Sequence, residues 1–70
     1  METVSIRDEF IKLGQAIKLA GLVSNGVDAK IVIQDGEVKL NGEVETRRGK
    51  KVYNGDVIEF NGSQVKIVNE

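Results

Sequence analysis

Apolar residues recur every three or four positions in the first third of the chain, which is the spacing of one face of an α-helix. This apolar stripe consists of Phe10, Leu13, Ile17 and Ala20. Ser5 and Asp8 have the spacing of a helix-capping box, Asp8 can also serve as the cap itself, and Gly21 stands where a helix commonly ends. The pattern therefore predicts a first helix over residues 8–20.

The segment that contains the run KIVI is compatible with two kinds of element. Its β-branched residues favour a strand. Its flanks favour a helix, because Asn25 and Asp28 can cap the start and Gly36 can end it. The core-facing residues of such a helix would be Ala29, Val32 and Ile33. We interpret the segment as a second helix over residues 26–35, although Ile31 lies off its apolar stripe.

The apolar period changes to two after the second predicted helix, which indicates β-strands. Val38 and Leu40 alternate with charged residues, and the dipeptide Asn41-Gly42 then offers a tight turn. The order of elements is therefore helix, helix and several short antiparallel strands. This order predicts an α+β fold.

The run DVIEF-NG-SQVKIV near the end of the chain predicts a β-hairpin with Asn61-Gly62 as its two-residue loop. The register set by this loop pairs Phe60 with Ser63 and Ile58 with Val65. One face of the hairpin then carries the apolar residues Ile58, Phe60, Val65 and Ile67. Because the polar residues fall together on the other face, the assignment is self-consistent.

The composition excludes several classes of function. Seventy residues without Pro, linker or low-complexity stretch correspond to a single domain, residues 1–70. The absence of Cys and His removes disulfides, structural zinc sites, the commonest general base and the most nucleophilic side chain. The GKK stretch lacks the earlier Gly and the following Ser or Thr of a phosphate-binding loop. We therefore expect no enzymatic activity, no cofactor and no metal ion.

The hydropathy of the chain gives no sign of a membrane protein. No apolar run approaches the roughly 20 residues of a membrane span. The opening stretch METVSIRDEF carries acidic residues and lacks the apolar centre of a signal peptide. We expect a soluble cytoplasmic protein.

Positive charge is concentrated in one short stretch, although the net charge of the chain is −1. The cations of this stretch are Arg47, Arg48, Lys50 and Lys51. One interpretation is a solvated loop whose like charges merely repel. The cluster favours a second interpretation, because a polyanion would offset the electrostatic cost of holding these charges together. Arg can clasp one phosphate with two hydrogen bonds, while Lys acts as a point charge.

Other residues could extend this cluster. Lys12 and Gln15 lie beside the apolar stripe of the first predicted helix, with Lys18 on its exposed side, and Lys30 lies off the core face of the second. Whether they join the basic stretch depends on the fold. Tyr53 could stack on a base, but with so few aromatics in the chain we favour packing in the core or in a strand.

Four short stretches, in a fixed order, match a known family pattern. KLGQ (12–15) stands where that family has an Arg-Leu-Asp-like helix start, and NGVDAK (25–30) loosely matches Ser-Arg-x-x-Ala-Arg. GEVKLNG (36–42) is close to G-x-V-x-V-N-G, and GDVI (55–58) to G-D-x-I. In residues 10–60 the chain thus resembles the S4 RNA-binding domain with its alpha-L motif. It is most similar to the short, free-standing bacterial members.

The resemblance implies two N-terminal helices packed on a small antiparallel sheet, with RNA running over both helices and the neighbouring loop. The residues that would contact phosphates are Lys12, Gln15, Asn25, Lys30, Arg47 and Arg48, to which charge alone adds Lys50 and Lys51. Two positions depart from the family. Gly14 stands where the family usually has Asp, and Gly26 where it usually has Arg. The second departure removes a contact, for which the basic stretch could compensate.

We therefore expect a small RNA-binding module, monomeric, that recognises structured RNA through backbone phosphates and shape, with ribosomal RNA as a candidate. The alternative is a protein-interaction module that docks an acidic partner through the basic stretch. A third reading is a subunit that lends RNA affinity to a separate catalytic chain. RNase treatment of the isolated complex separates the RNA-binding module from the protein-interaction module, because only a complex held together by a protein partner would survive it.

Overall fold

The chain folds into two helices and seven strands in the computed structural model, which describes residues Met1 to Glu70. The helices are α1 (Leu13–Leu19) and α2 (Gly26–Gln34). The strands are β1 (Glu2–Ile6), β2 (Phe10–Lys12), β3 (Val38–Leu40), β4 (Glu43–Val44), β5 (Lys51–Tyr53), β6 (Val57–Phe60) and β7 (Ser63–Asn69).

Five strands form one sheet in the order β1-β7-β6-β3-β4, and β2 pairs with β5 in a separate two-stranded ribbon. The α+β class with two helices is confirmed. Two details differ from the expectation. The strands β1 and β2 precede the helices, and the main sheet is mixed, because β1 runs parallel to β7 while the other pairs are antiparallel.

The predicted capping box at Ser5 and Asp8 is wrong, because Ser5 lies within β1. In this strand Val4 and Ile6 alternate with polar residues, and both side chains are buried. Val4 lies opposite Ile67 of β7. The pairing with β7 therefore decides the structure of this segment, and the local capping spacing does not.

The predicted start of the first helix is also wrong, since α1 begins at Leu13 and not at residue 8. The three residues before it form β2, in which Phe10 lies opposite Tyr53 and Ile11 opposite Val52. Phe10 thus fits the apolar stripe by spacing while belonging to a strand. The pairing with β5 is a tertiary contact that overrides the local helical pattern.

Both helices end in a Schellman motif, at the two glycines that the sequence indicated. After α1 the N–H of Gly21 donates to the carbonyl of Lys18 (3.1 Å), and the N–H of Leu22 donates to that of Ile17 (3.0 Å). The same two bonds recur around Gly36 after α2. Gly21 and Gly36 have φ values of 76° and 78°, which glycine adopts without steric cost.

The ambiguous KIVI segment forms α2, as predicted from its flanks. Asn25 is the N-cap, and its side-chain oxygen accepts a hydrogen bond of 2.9 Å from the N–H of Asp28. Ala29 and Ile33 are buried in the core. Ile31 is 52% exposed, in agreement with its position off the apolar stripe.

The C-terminal hairpin has the predicted register. The pairs are Phe60 opposite Ser63 and Ile58 opposite Val65. Asn61 and Gly62 both have positive φ, 52° and 81°, as a two-residue type I′ turn requires. The apolar face is confirmed, with Ile58, Val65 and Ile67 buried and Phe60 half-buried.

Twelve buried apolar side chains from both helices and from β1, β3, β5, β6 and β7 make up the core. They are Val4, Ile6, Leu13, Ala16, Ile17, Ala29, Ile33, Val38, Val52, Ile58, Val65 and Ile67. No polar or charged residue is buried. The functional groups of the protein therefore lie on its surface. Neither helix has the length and hydropathy that crossing a membrane would require.

Candidate nucleic-acid interface

An open groove of about 680 Å³ lies where α1, the first turns of α2 and the loop between β4 and β5 meet. We call it the basic groove. Its charged and amide-bearing lining residues are Lys12, Gln15, Lys18, Asn25, Lys30 and Arg48. Five of these were among the residues predicted to contact RNA. The fold thus brings side chains from both helices beside one arginine of the basic stretch.

The loop between β4 and β5 (residues 45–50, the basic loop) is fixed to the start of α1 by its backbone. α1 has no side-chain N-cap, and its first N–H groups have no partner within the helix. The N–H of Leu13 donates to the carbonyl of Lys50 (2.9 Å), and that of Gly14 donates to the carbonyl of Arg48 (3.0 Å). These bonds satisfy two N–H groups of the helix start and hold the backbone of Arg48 against α1.

Gly14 provides the space in which Arg48 lies. A Cβ atom added at Gly14 would come within 2.7 Å of the Cγ atom of Arg48, which is closer than real Cβ contacts allow. Any larger residue at this position would displace the arginine side chain. The glycine at this position, where the resemblance implied an acidic residue, therefore leaves room for the Arg48 side chain in the groove.

The cations of the basic groove are not neutralised within the protein. Lys12, Lys18, Lys30 and Arg48 are all exposed, and none of them lies within 4.0 Å of a carboxylate. The only ion pairs in the structure are Arg7 with Glu70 and Arg47 with Glu45. No acidic residue lines the groove. The groove is therefore a concave surface with uncompensated positive charge, which suits an anion with several charges.

Arg47 and Lys50 lie outside the basic groove, although both were predicted to contact RNA. They line a separate depression together with Glu43 and Glu45. The guanidinium of Arg47 donates two hydrogen bonds to the carboxylate of Glu45, from Nε (2.9 Å) and from Nη2 (3.1 Å). These bonds lower the pKa of Glu45 to about 2, and they engage the group with which Arg47 would clasp a phosphate.

Replacing Glu45 with Gln is expected to remove part of the acid dependence of stability. Because the pKa of Glu45 falls from 4.5 to about 2 on folding, its ion pair stabilises the protein above pH 4.5 and loses that effect as the pH falls towards 2. The substitution should slightly lower the free energy of unfolding at neutral pH and leave it unchanged near pH 2. Urea unfolding of both proteins, from pH 2 to neutral pH, measures the difference in their free energies of unfolding. A difference that is equal at the two ends of this pH range would contradict the prediction.

Lys51 and Tyr53 lie on the ribbon formed by β2 and β5, beside the basic groove rather than inside it. The Nζ atom of Lys51 is 4.8 Å from the centroid of the Phe10 ring. The preferred interpretation of Tyr53 as a core or strand-packing residue is confirmed for the strand, because Tyr53 lies in β5 opposite Phe10. It is wrong for the core, because the side chain is 42% exposed. In β5 it is Val52 that faces the core.

Sequence reasoning noted Lys18 as an exposed lysine but did not include it among the predicted contact residues. It follows Gln15 at a helical spacing of three, which places both side chains on one face of α1. That spacing was the available signal. The role of Gly14 had no signal in the sequence, because it depends on a loop more than thirty residues away along the chain.

A charged groove between two helices and a loop, carried on a small mixed sheet, is the architecture of a known class of domain. The chain belongs to the S4 domain family, whose model matches residues 4–68. The resemblance read from the sequence is thereby confirmed.

Individual relatives match over nearly the whole chain. The sequence is 43% identical over 67 residues to the probable ribosome maturation protein RlbA of Bacillus subtilis (strain 168), with 94% of each chain covered. It is 38% identical to the putative RNA-binding protein YbcJ of Escherichia coli (strain K12), with 97% of this chain and 99% of that protein covered. The solution structure of YbcJ, described as revealing an alpha-L motif involved in RNA binding, matches with a TM-score of 0.75 over 97% of this chain and 87% of its own.

A third relative is an enzyme. The ribosomal large subunit pseudouridine synthase B of Bacillus subtilis (strain 168) is 42% identical over 55 residues. The match covers 79% of this chain but only 22% of that protein. Most of the enzyme therefore has no counterpart in these 70 residues.

Proposed function

We propose that this protein is a small RNA-binding module that holds structured RNA, ribosomal RNA in particular, by its phosphate backbone and by the shape of the basic groove. The observation that carries the proposal is the meeting of four unpaired cations in one groove that no acidic residue lines. The cations of the groove repel one another because they are close together. A bound polyanion neutralises them, so the relief of this repulsion contributes to the free energy of binding. In this proposal Arg48 clasps one phosphate with two hydrogen bonds.

The names of the relatives support this choice of ligand. RlbA is named for ribosome maturation, and the alpha-L motif of YbcJ is described as involved in RNA binding. The pseudouridine synthase is named for the large ribosomal subunit. Because RlbA and YbcJ match this chain over nearly their full lengths, we extend to this protein the RNA binding for which YbcJ is named and the link to the ribosome for which RlbA is named, and we place its action in the cytoplasm.

We also propose that the module binds RNA without chemistry of its own. The chain contains no His and no Cys, and no buried polar group that could be activated by its surroundings. The part of the pseudouridine synthase that the chain matches is a small fraction of that enzyme. A chemical role would therefore require a second protein.

The salt dependence of binding tests the proposal. If the four cations of the groove each neutralise one phosphate, the logarithm of the association constant should fall against the logarithm of salt concentration with a slope of about −3. Fluorescence anisotropy of a labelled ribosomal RNA hairpin, titrated with the protein at several salt concentrations, gives this slope. A slope near zero, or no binding at low salt, would refute phosphate recognition by the groove.

The competing function is docking of an acidic protein. A poly-glutamate peptide of matched charge serves as the control ligand in the same assay, because it offers charge without the geometry of an RNA backbone. Tighter binding of the peptide than of the hairpin would favour the protein-interaction reading. In a lysate, survival of the isolated complex after RNase treatment would lead to the same conclusion.

A further inference from the structure

The outward face of the β2–β5 ribbon carries two aromatic residues and two lysines. Val52 is buried and Ile11 packs against the core, so the residues next to them along each strand point away from the core. The ribbon pairs Phe10 with Tyr53 and Lys12 with Lys51. We call Phe10, Lys12, Lys51 and Tyr53 the aromatic–lysine face.

Two lysines directly opposite each other are unfavourable in an antiparallel ribbon, because like charges on a cross-strand pair repel. Neither Lys12 nor Lys51 lies within 4.0 Å of a carboxylate. Only the ring of Phe10, 4.8 Å from the Nζ atom of Lys51, partly compensates that charge. A negatively charged ligand on this face would relieve the repulsion.

Tyr53 supplies a surface suited to a nucleic-acid base. Its side chain is 42% exposed, although a residue of this size in a small domain contributes most to stability when it is buried. Its ring centroid is 6.0 Å from that of Phe10 and the two planes are tilted by 49°, so the rings are not stacked face to face. An exposed aromatic ring beside lysines is the combination on which unpaired bases stack.

The aromatic–lysine face is continuous with the basic groove. Lys12 and Gln15 line the groove and also line the neighbouring depression, to which Phe10 belongs. The other charged residues of that depression are Arg7 and Asp8. An RNA strand held by its phosphates in the groove can therefore pass over Lys12 onto the ribbon without leaving the protein surface.

We propose that the aromatic–lysine face binds one unpaired nucleotide of the RNA, with its base stacked on Tyr53 and its phosphate held by Lys12 and Lys51. The inference rests on the proposed function and narrows its ligand to structured RNA in which an unpaired nucleotide adjoins a helix. In this arrangement Phe10 acts as a positioning residue, because its ring holds the Lys51 ammonium beside the phosphate.

Two RNA duplexes that differ by a single bulged nucleotide test the inference. The Tyr53→Ala variant should bind the bulged duplex about tenfold more weakly than the native protein does. Its affinity for the fully paired duplex should be unchanged. Tyr53→Phe, which keeps the ring, should restore binding of the bulged duplex. Val44→Ala removes another exposed apolar side chain, 56% exposed and outside both surfaces, and should alter neither affinity.

A spectroscopic measurement reports stacking directly. The chain has one Tyr and no Trp, so Tyr53→Trp introduces a single tryptophan that can be excited where RNA absorbs weakly. Stacking predicts quenching by the bulged duplex and much less by the paired one. If both duplexes bind, but neither the quenching nor the Tyr53→Ala effect distinguishes them, the inference fails and the proposed function stands. If neither duplex nor the ribosomal hairpin binds, both fail.

Discussion

Reversing the charge of Arg48 is expected to weaken RNA binding strongly while leaving the protein folded. Arg48 lies in the basic groove, without a carboxylate partner, beside Lys12 and Lys30. A charge-assisted hydrogen bond to phosphate is worth about 1.5 to 3 kcal/mol, and a carboxylate in its place would also repel the RNA. Arg48→Glu should therefore weaken binding at least roughly a hundredfold in the anisotropy titration.

Arg47→Glu is the matched control for this variant, because the two arginines are adjacent and the change in net charge is the same. The guanidinium of Arg47 is engaged by Glu45, outside the groove. We expect Arg47→Glu to reduce affinity only through long-range charge, by a few-fold at low salt and less as salt is added.

Thermal unfolding of both variants separates binding from folding. The contact of Arg48 that fixes the loop is made by its backbone carbonyl, which the substitution retains. Equal losses of affinity in the two variants would show that the total charge of the basic loop matters and that the groove geometry does not.

Ile17→Ala is expected to remove a large part of the free energy of unfolding. Ile17 lies on α1 and is fully buried in the core. Truncating a buried Ile to Ala costs about 2 to 5 kcal/mol. A domain of 70 residues has a total stability of roughly 4 to 10 kcal/mol. The midpoint of urea unfolding should fall accordingly, and RNA affinity should fall with the folded fraction.

Ile31→Ala is the control variant for the loss of stability expected from Ile17→Ala. Ile31 lies on α2 and is 52% exposed, so its truncation removes little buried surface and improves helix propensity. Its unfolding midpoint should stay close to that of the native protein. A similar loss for the two variants would mean that the packing of α1 on the core is not what holds the domain together.

Elements defined by neighbouring residues could be predicted from the sequence. The cap at Asn25, the two terminating glycines and the Asn61-Gly62 turn each depend on contacts within a few positions, and the structure has all of them. The flanks of the KIVI segment, which was the one local ambiguity, favoured the helix that the structure shows.

Elements that depend on distant partners could not be predicted. The strand β1 is defined by its pairing with β7, at the other end of the chain, and β2 by its pairing with β5. In β2 the spacing of Phe10 from Leu13 is that of a helix, although the hydrogen-bonded pairing with β5 determines the structure of these residues. Periodicity within one segment contains no information about such partners.

The residues of the candidate site also differ in how far they could be predicted from the sequence. Lys12, Gln15 and Lys30 were chosen by their positions on helices or by family resemblance, and the fold places them in one groove with Arg48. The role of Arg47 in RNA binding was implied by the family resemblance and by its place in the basic stretch, and it remains a prediction. A local signal for its ion pair was present, because Glu45 stands only two residues earlier in the chain.

The parallel pairing of β1 with β7 has a consequence for how the domain forms during synthesis. The groove is formed by residues that lie between β1 and β7 in the chain, but the main sheet is complete only when β7 has been made and pairs with β1. Contacts between such distant segments slow folding, because a long loop must be closed before they form. A domain whose β7 has not yet left the ribosome therefore lacks the completed sheet, and we expect it to bind RNA only after β7 has emerged.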